Sequence, residues 1–209
     1  MKKFFLIVLL CSLWMTLIGC SKEIVSETCP LTGNVCELPS WTIDHSDLSW
    51  VIQDVLLAIK NTDLLTLSSF VWPQGLRFSP YEYVNTTSDV ILNTGEVANG
   101  LALSRSFTRW AYDWSGEPID LWIGQYREKF VYDRDFMNAP EVYHNQKFER
   151  GNTFNTIFDV YSGKYIIEYH FPRTDPQYEG MDWRSLILVF EEVNGQWYLV
   201  WIVHGQWTI

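Results

Sequence analysis

In KYIIEYHF, residues 164–171, the apolar and aromatic side chains Tyr165, Ile167, Tyr169 and Phe171 recur at every second position. That is the period of a β-strand, whose side chains point alternately to opposite faces. SLILVFE, residues 185–191, reads as a second strand. Asn194-Gly195 follows, the strongest short-range signal for a two-residue hairpin. QWYLVWIVHGQW, residues 196–207, is then the return strand. Strict alternation places Trp197, Leu199, Trp201, Val203 and Trp207 on one face, with Tyr198, Val200, Ile202, His204 and Gln206 on the other. Both sets are largely apolar, so this strand is expected in the middle of a sheet, covered on both sides.

Upstream, Ser106 to Trp114 reads as extended. Ser115-Gly116-Glu117-Pro118 is a turn, and Ile119 to Trp122 is a return strand. Ile123, Tyr126 and Phe130 mark a short helix. Nearer the N-terminus the period becomes helical. Leu48, Val51, Ile52, Val55, Leu56 and Ile59 fall on one face of a helix, for which Ser46 is a capping residue. A second helix is expected from Asp63 to about Val71, with Leu64, Leu67 and Phe70 inward, stopped by Pro73 and Gly75. Leu76 to Val84 reads as extended, and Thr94 to Leu103 as a further helix. Helices first and long strands last predict an α+β domain, N-terminal helices packed on a curved antiparallel sheet.

The remaining signals concern location. Lys2 and Lys3 precede a mostly apolar run from Phe4 to Ile18, too short to span a bilayer and of the length of a secretory signal. Leu17-Ile18-Gly19-Cys20 closes it and resembles the lipobox of bacterial lipoproteins, in which the bond before the cysteine is cut and the cysteine carries the lipid. The resemblance implies residues 1–19 as signal peptide, Cys20 as the acylated residue, and a domain outside the cytoplasm on a cell or outer membrane. Removal of residues 1–19 leaves 190 residues with a formal charge of −12. Such acidity argues against nucleic acid and against electrostatic docking on anionic lipid. Cys11 departs with the signal, so Cys29 and Cys36 are left as an even pair in an oxidising compartment, expected to form a disulfide across a Pro/Gly-Asn turn. Residues 20–40 are polar and without periodicity, a tether; residues 41–209 form one domain.

The order of elements, a helical pair ending in a Pro/Gly break and then a sheet closing on a Trp-rich hairpin, resembles the nuclear-transport-factor-two-like cone fold. That superfamily holds ketosteroid isomerase, scytalone dehydratase and many non-enzymatic binding modules, so the resemblance implies a pocket but no single function. Gly180-Met181-Asp182-Trp183, Leu188-Val189-Phe190-Glu191 and the run from Trp197 to Ile209 are also similar to an uncharacterised group of bacterial lipoproteins.

Glu168, His170 and His204 are the candidate pocket residues, with Gln206 beside His204. Glu168 and His170 share a face of one strand. If His204 meets them, a carboxylate and two imidazoles suit acid–base chemistry of the lyase or isomerase type, or a two-His, one-carboxylate metal site. The plainer reading puts all three on the rim of a half-wet sheet face. Asp133-Arg134-Asp135 with Asn138 lacks the third ligand and the Gly of a calcium loop and reads as a solvated loop. No metal or cofactor is expected. Trp72, Trp110, Trp114 and Trp122 lie in or beside loops, where indoles either fill the core or stack on sugars. No nucleophile-elbow, zinc-protease, phosphate-loop or dinucleotide motif is present. The expected function is a membrane-anchored binding module for a small hydrophobic ligand, a glycan or an envelope protein, with an acid–base enzyme as the alternative.

Overall fold

The computed structural model describes residues 45–209, except 88, 101–105, 113–114, 152–153, 174 and 208–209; at 106–110 it describes the backbone. Cys20, Cys29 and Cys36 lie outside the described residues.

Helix α1, Leu48–Asn61, buries the stripe Val51, Ile52, Val55, Leu56 and Ile59 that its periodicity predicts. The cap is Asp47, not Ser46: its carboxylate accepts from the backbone N–H groups of Ser49 and Trp50. At the other end the guanidinium of Arg127 donates to the carbonyls of Ile59 and Lys60, groups that a helix terminus leaves without partners. Helix α2, Leu64–Ser69, is capped by Asp63, which accepts from Thr66 N–H at 3.0 Å. Strands β1, Leu76–Ser79, and β2, Val90–Leu92, follow, then α3, Thr94–Ala98, shorter than the helix expected there. Strands β3, Ser106–Ala111, and β4, Pro118–Trp122, form a separate hairpin. Helix α4, Ile123–Phe130, buries Ile123, Tyr126 and Phe130. The rest comprises β5, Glu141–His144, α5, Ile157–Val160, and the long strands β6, Tyr165–Phe171, β7, Arg184–Val193, and β8, Gln196–Gln206. No helix among the described residues is long and apolar enough to cross a membrane.

The main sheet has the order β2-β1-β8-β7-β6-β5. It is mixed, which corrects the expectation of a purely antiparallel sheet: β1 runs parallel to β8, Arg77 to Ser79 lying beside Trp201 to Val203. The physical reason is the edge of β8. An eleven-residue apolar strand left unpaired on one side is open to further pairing, and β1 closes that side. Further along the same edge, Leu199 N–H donates to Phe70 O and Trp72 N–H to Leu199 O. The Asn194-Gly195 turn forms as read, both residues at positive φ, 53° and 77°.

One irregularity governs everything built on the sheet. Near the turn, Val193 faces Gln196 and Phe190 faces Leu199, but Val189 faces Trp201. Val200 is therefore an extra residue, a β-bulge, and beyond it the register moves by one. Since a one-residue slip moves every later side chain to the other face, strict alternation fails here. Leu199 joins Ile202 against the helices, while Trp201 and Val203 turn to the opposite face.

Both faces are covered. On the helix face, Ile167, Tyr169, Leu186, Leu188 and Ile202 pack against α1, α2 and α4. On the opposite face a smaller cluster joins Ile166, Ile187, Val189, Trp201 and Val203 to Val84 and Ile157, contributed by the stretch after β1 and by α5.

Candidate functional site

The register places Glu141, His170, Ser185 and Gly205 in one row across β5, β6, β7 and β8. Directly opposed residues share a face, so the row lies on the face away from the helices, with Glu168 one step along β6. None of Glu168, His170 and Ser185 is a rim residue: each is no more than 4% exposed. The half-wet reading is corrected by the cover that Glu82, Val84 and Ile157 provide.

Ser185 Oγ lies 2.6 Å from Glu168 Oε1 and 2.8 Å from His170 Nδ1. Arg150 forms an ion pair with Glu168, which marks that group as a carboxylate able only to accept. The hydroxyl proton therefore goes to Glu168, and Nδ1–H of His170 donates to Ser185 Oγ, a tautomer assigned from the network. A serine nucleophile needs the reverse, an imidazole that accepts from the hydroxyl, so Ser185 is a link and not an attacking group. His170 Nε2 is left facing Glu141 Oε2 at 3.9 Å. Burial, with help from the Arg150 charge, lowers the His170 imidazole to about 4, which keeps the ring neutral. Burial raises the Glu168 carboxyl, with Ser185 and Arg150 opposing. The Arg150 guanidinium also stacks over Phe148, 4.4 Å from its centroid, and Tyr143, at 5.6 Å.

His204 is elsewhere. It pairs with Leu186, which in turn pairs with Tyr169, so it projects to the helix face with Gln206. The constellation of Glu168, His170 and His204 is split by the thickness of the sheet, and the Val200 bulge is the cause. Without it Ser185 would face His204, and both imidazoles would stand in one row. On its own face the fully buried His204 has Nε2 3.4 Å from Asp133 Oδ1 and its ring edge-on to Phe130 at 5.6 Å. Neither ring nitrogen makes a hydrogen bond; the contact with Asp133 is within ion-pair reach only. Arg184 Nε donates to Asp133 Oδ2 at 3.0 Å. Burial alone would raise the Asp133 carboxyl, but His204, Arg184 and Arg134 outweigh it and hold the group below its ordinary value. Asp133 is thus a structural anchor and not the solvated loop residue expected, whereas Asp135 is exposed and takes Lys60, Tyr132 and Asn138. Among the described residues no group of three or more His, Cys, Asp and Glu side chains can hold a metal ion.

Compared with known protein families, curated proteins and solved structures, the chain matches none. The chemistry of the site rests on its geometry. Glu82, which no periodicity or motif marked, completes the row: it lies in the irregular stretch between β1 and β2, is 1% exposed, and places Oε1 over Gly205. A methyl group on Gly205 would meet that oxygen at 2.7 Å and Ser185 and Trp183 at 3.0 Å. Gly205→Ala is therefore expected to cost about 2 kcal/mol by overpacking, measured by urea unfolding near pH 6. Glu82→Ala in the same chain is expected to recover part of that loss.

Between the helices and the sheet lies an apolar cavity of about 30 Å³ walled by Ile59, Leu67, Val97, Tyr126, Phe78 and Ile202. That is the share of liquid volume taken by about one water molecule. Four large apolar side chains stand outside instead: Trp50, Leu65, Trp122 and Phe154 are each more than 60% exposed. Of the tryptophans flagged from the sequence, Trp122 is on the surface and Trp72 packs edge-on to Tyr198. Trp114 lies outside the described residues, as does the side chain of Trp110.

Proposed function

We propose that this chain is a lipid-anchored, extracytoplasmic binding module that engages an envelope partner through its outer surface. The contrast between the small cavity under the helices and an exposed set of large apolar side chains, both among the described residues, carries this reading. A drug-sized ligand needs a cavity several hundred Å³ in volume, far above the space between α4 and β8. Large exposed apolar groups on the surface of an acidic protein are what partner recognition uses. The lipobox at Leu17-Ile18-Gly19-Cys20 supports the anchor. The strand order, with its parallel β1–β8 pair after two N-terminal helices, supports the cone-like reading of the fold. A glycan partner is the second reading, favoured by Trp50 and Trp122, two indoles free to stack on sugar faces. The acid–base alternative built on His204 with Glu168 or His170 is not carried forward, because those residues occupy opposite faces.

Three experiments test this. Cys20→Ala is expected to move the protein from the membrane to the soluble fraction and to remove the lipid mass; unchanged fractionation with no lipid mass on the parent protein would overturn the anchor. Full-length protein, extracted gently from its own envelope and weighed intact, is expected to carry no small molecule beyond its acyl chains. A stoichiometric co-purifying ligand would overturn the surface reading. Photo-crosslinking from position 122 is then expected to give a discrete adduct, and a sugar or a protein in that adduct separates the two readings.

A further inference from the structure

Glu82 stands out among the buried side chains because neither carboxyl oxygen has a hydrogen-bond partner. A buried carboxylate left in that state is strongly disfavoured. Its surroundings explain why no counter-charge is available. From β6 it is faced by Glu168, and from the chain ahead of α5 by Arg150 and Glu149. His170 lies beyond Glu168 and is neutral. β7 and β8 contribute Ser185 and Gly205, which carry no charge. Among the described residues the cation that faces it, Arg150, is already taken by Glu168. Burial first, and then the charge of Glu168, push the Glu82 carboxyl up to about 8.

The backbone at Glu82 is tied to a second segment. Thr156 N–H donates to Glu82 O at 3.3 Å, and Val84 N–H donates to Thr156 Oγ1 at 2.9 Å. Val84 and Ile157, one from each segment, are buried on the apolar face formed by Ile187, Val189, Trp201 and Val203. Residues 82–84 and 156–157 therefore sit on the sheet as a joined pair, and Glu82 is the member whose charge the site does not tolerate.

We propose that Glu82 is a proton-operated catch: while its carboxyl carries a proton the joined segments stay closed on the sheet, and its ionisation releases them and uncovers the face around Trp201 and Val203. The sign follows from linkage. A carboxyl exposed by release has its ordinary value of 4.5, against about 8 when closed. Between these values the closed form holds the extra proton, so opening becomes more favourable by about tenfold per pH unit and levels off above pH 8. Three other groups titrate nearby. Glu168, raised by burial with Ser185 and Arg150 opposing, favours opening as pH rises above its ordinary 4.5. Asp89, raised to about 6 by burial despite Ser79 and Arg77, favours opening only as pH rises from 3.8 to about 6. His170 favours opening only as pH falls from 6.5 toward 4. Above pH 6.5 Asp89 and His170 no longer contribute, and Glu82→Gln separates the response of Glu82 from that of Glu168.

Hydrogen exchange on the full-length protein tests this, with rates corrected for the intrinsic effect of pH. In peptides covering 80–87 and 156–161 the opening constant is expected to rise about 30-fold between pH 6.5 and pH 9, while peptides in α1 stay unchanged. In Glu82→Gln, a neutral side chain of the same shape, the rise is expected to fall below about threefold. A parent protein that changes by less than about threefold, or a Glu82→Gln protein that follows the parent, overturns the proposal. Should the variant fail to fold, the profile of the parent protein decides by itself.

Discussion

Trp201→Ala is expected to lower the unfolding free energy by about 4 kcal/mol, within the range for removing a buried aromatic. The ring has no exposed surface and belongs to the apolar cluster on the face away from the helices. Tyr161 meets it edge-on at 4.2 Å, and the Arg77 guanidinium lies over it at 5.3 Å. Its Nε1–H donates to Ser79 Oγ at 2.9 Å, and Ser79 in turn holds Asp89 at 3.1 Å. Truncation therefore leaves a cavity and also takes from the buried Ser79 hydroxyl the donor it accepts from. Trp201→Phe keeps a ring beneath Tyr161 and loses the N–H, so it is expected to cost roughly half as much. Urea unfolding of the three proteins side by side measures both steps.

The second large effect is on the other face. Asp133→Asn is expected to cost about 2 kcal/mol at neutral pH, less than breaking a fully buried pair, because it leaves the part-buried Arg184 beside a neutral amide and the buried His204 without its carboxylate. The pH dependence gives the effect a signature. The folded-state carboxyl lies below its ordinary 3.8, so its contribution is present above 3.8 and is lost as pH falls through the folded value. Parent and variant are expected to differ fully at pH 7 and to converge under acid. A difference that persisted unchanged at the acid end would mean that the loss is one of packing and not of charge.

These effects divide along the line between what the residues declare and what they conceal. Helix α1 was legible because one face of an amphipathic helix repeats every three to four positions, and all five of Val51, Ile52, Val55, Leu56 and Ile59 obey that period. The hairpin was legible because Asn194 and Gly195 accept the positive φ that the turn imposes. The central place of β8 was legible because both of its faces are apolar. The parallel pairing of β1 with β8 was not, since contact between residues more than a hundred positions apart leaves no local trace. Strands β2 and β5 have three and four residues, too few to show a period.

The candidate site was half legible for the same reason. Glu168 and His170 share a face because they are two apart on one strand, and the structure keeps them together. Placing His204 with them required the register of the hairpin, which counted back from the turn does bring His204 opposite Ser185. Val200 breaks that count, and a valine in an apolar strand gives no sign that it is the extra residue. Glu82 was invisible because it lies in an irregular stretch and acts through what surrounds it: Gly205, whose missing side chain makes its seat, and Glu168, which takes the nearby Arg150. A glycine near the end of an apolar strand was a hint, since it marks a place where something else comes close.

The central claim is that loops on the two faces of one sheet hold carboxyl groups shifted in opposite directions, Glu82 upward and Asp133 downward. Carbon-13 titration of the carboxyl side chains in the full-length protein tests it most directly, with Glu82 and Asp133 assigned through Glu82→Gln and Asp133→Asn. The account predicts that Glu82 titrates near pH 8 and that Asp133 stays ionised below 3.8. A Glu82 midpoint near its ordinary 4.5 would contradict it, because that carboxyl would then be solvated or paired and the face around Gly205 would have no buried acid to protonate.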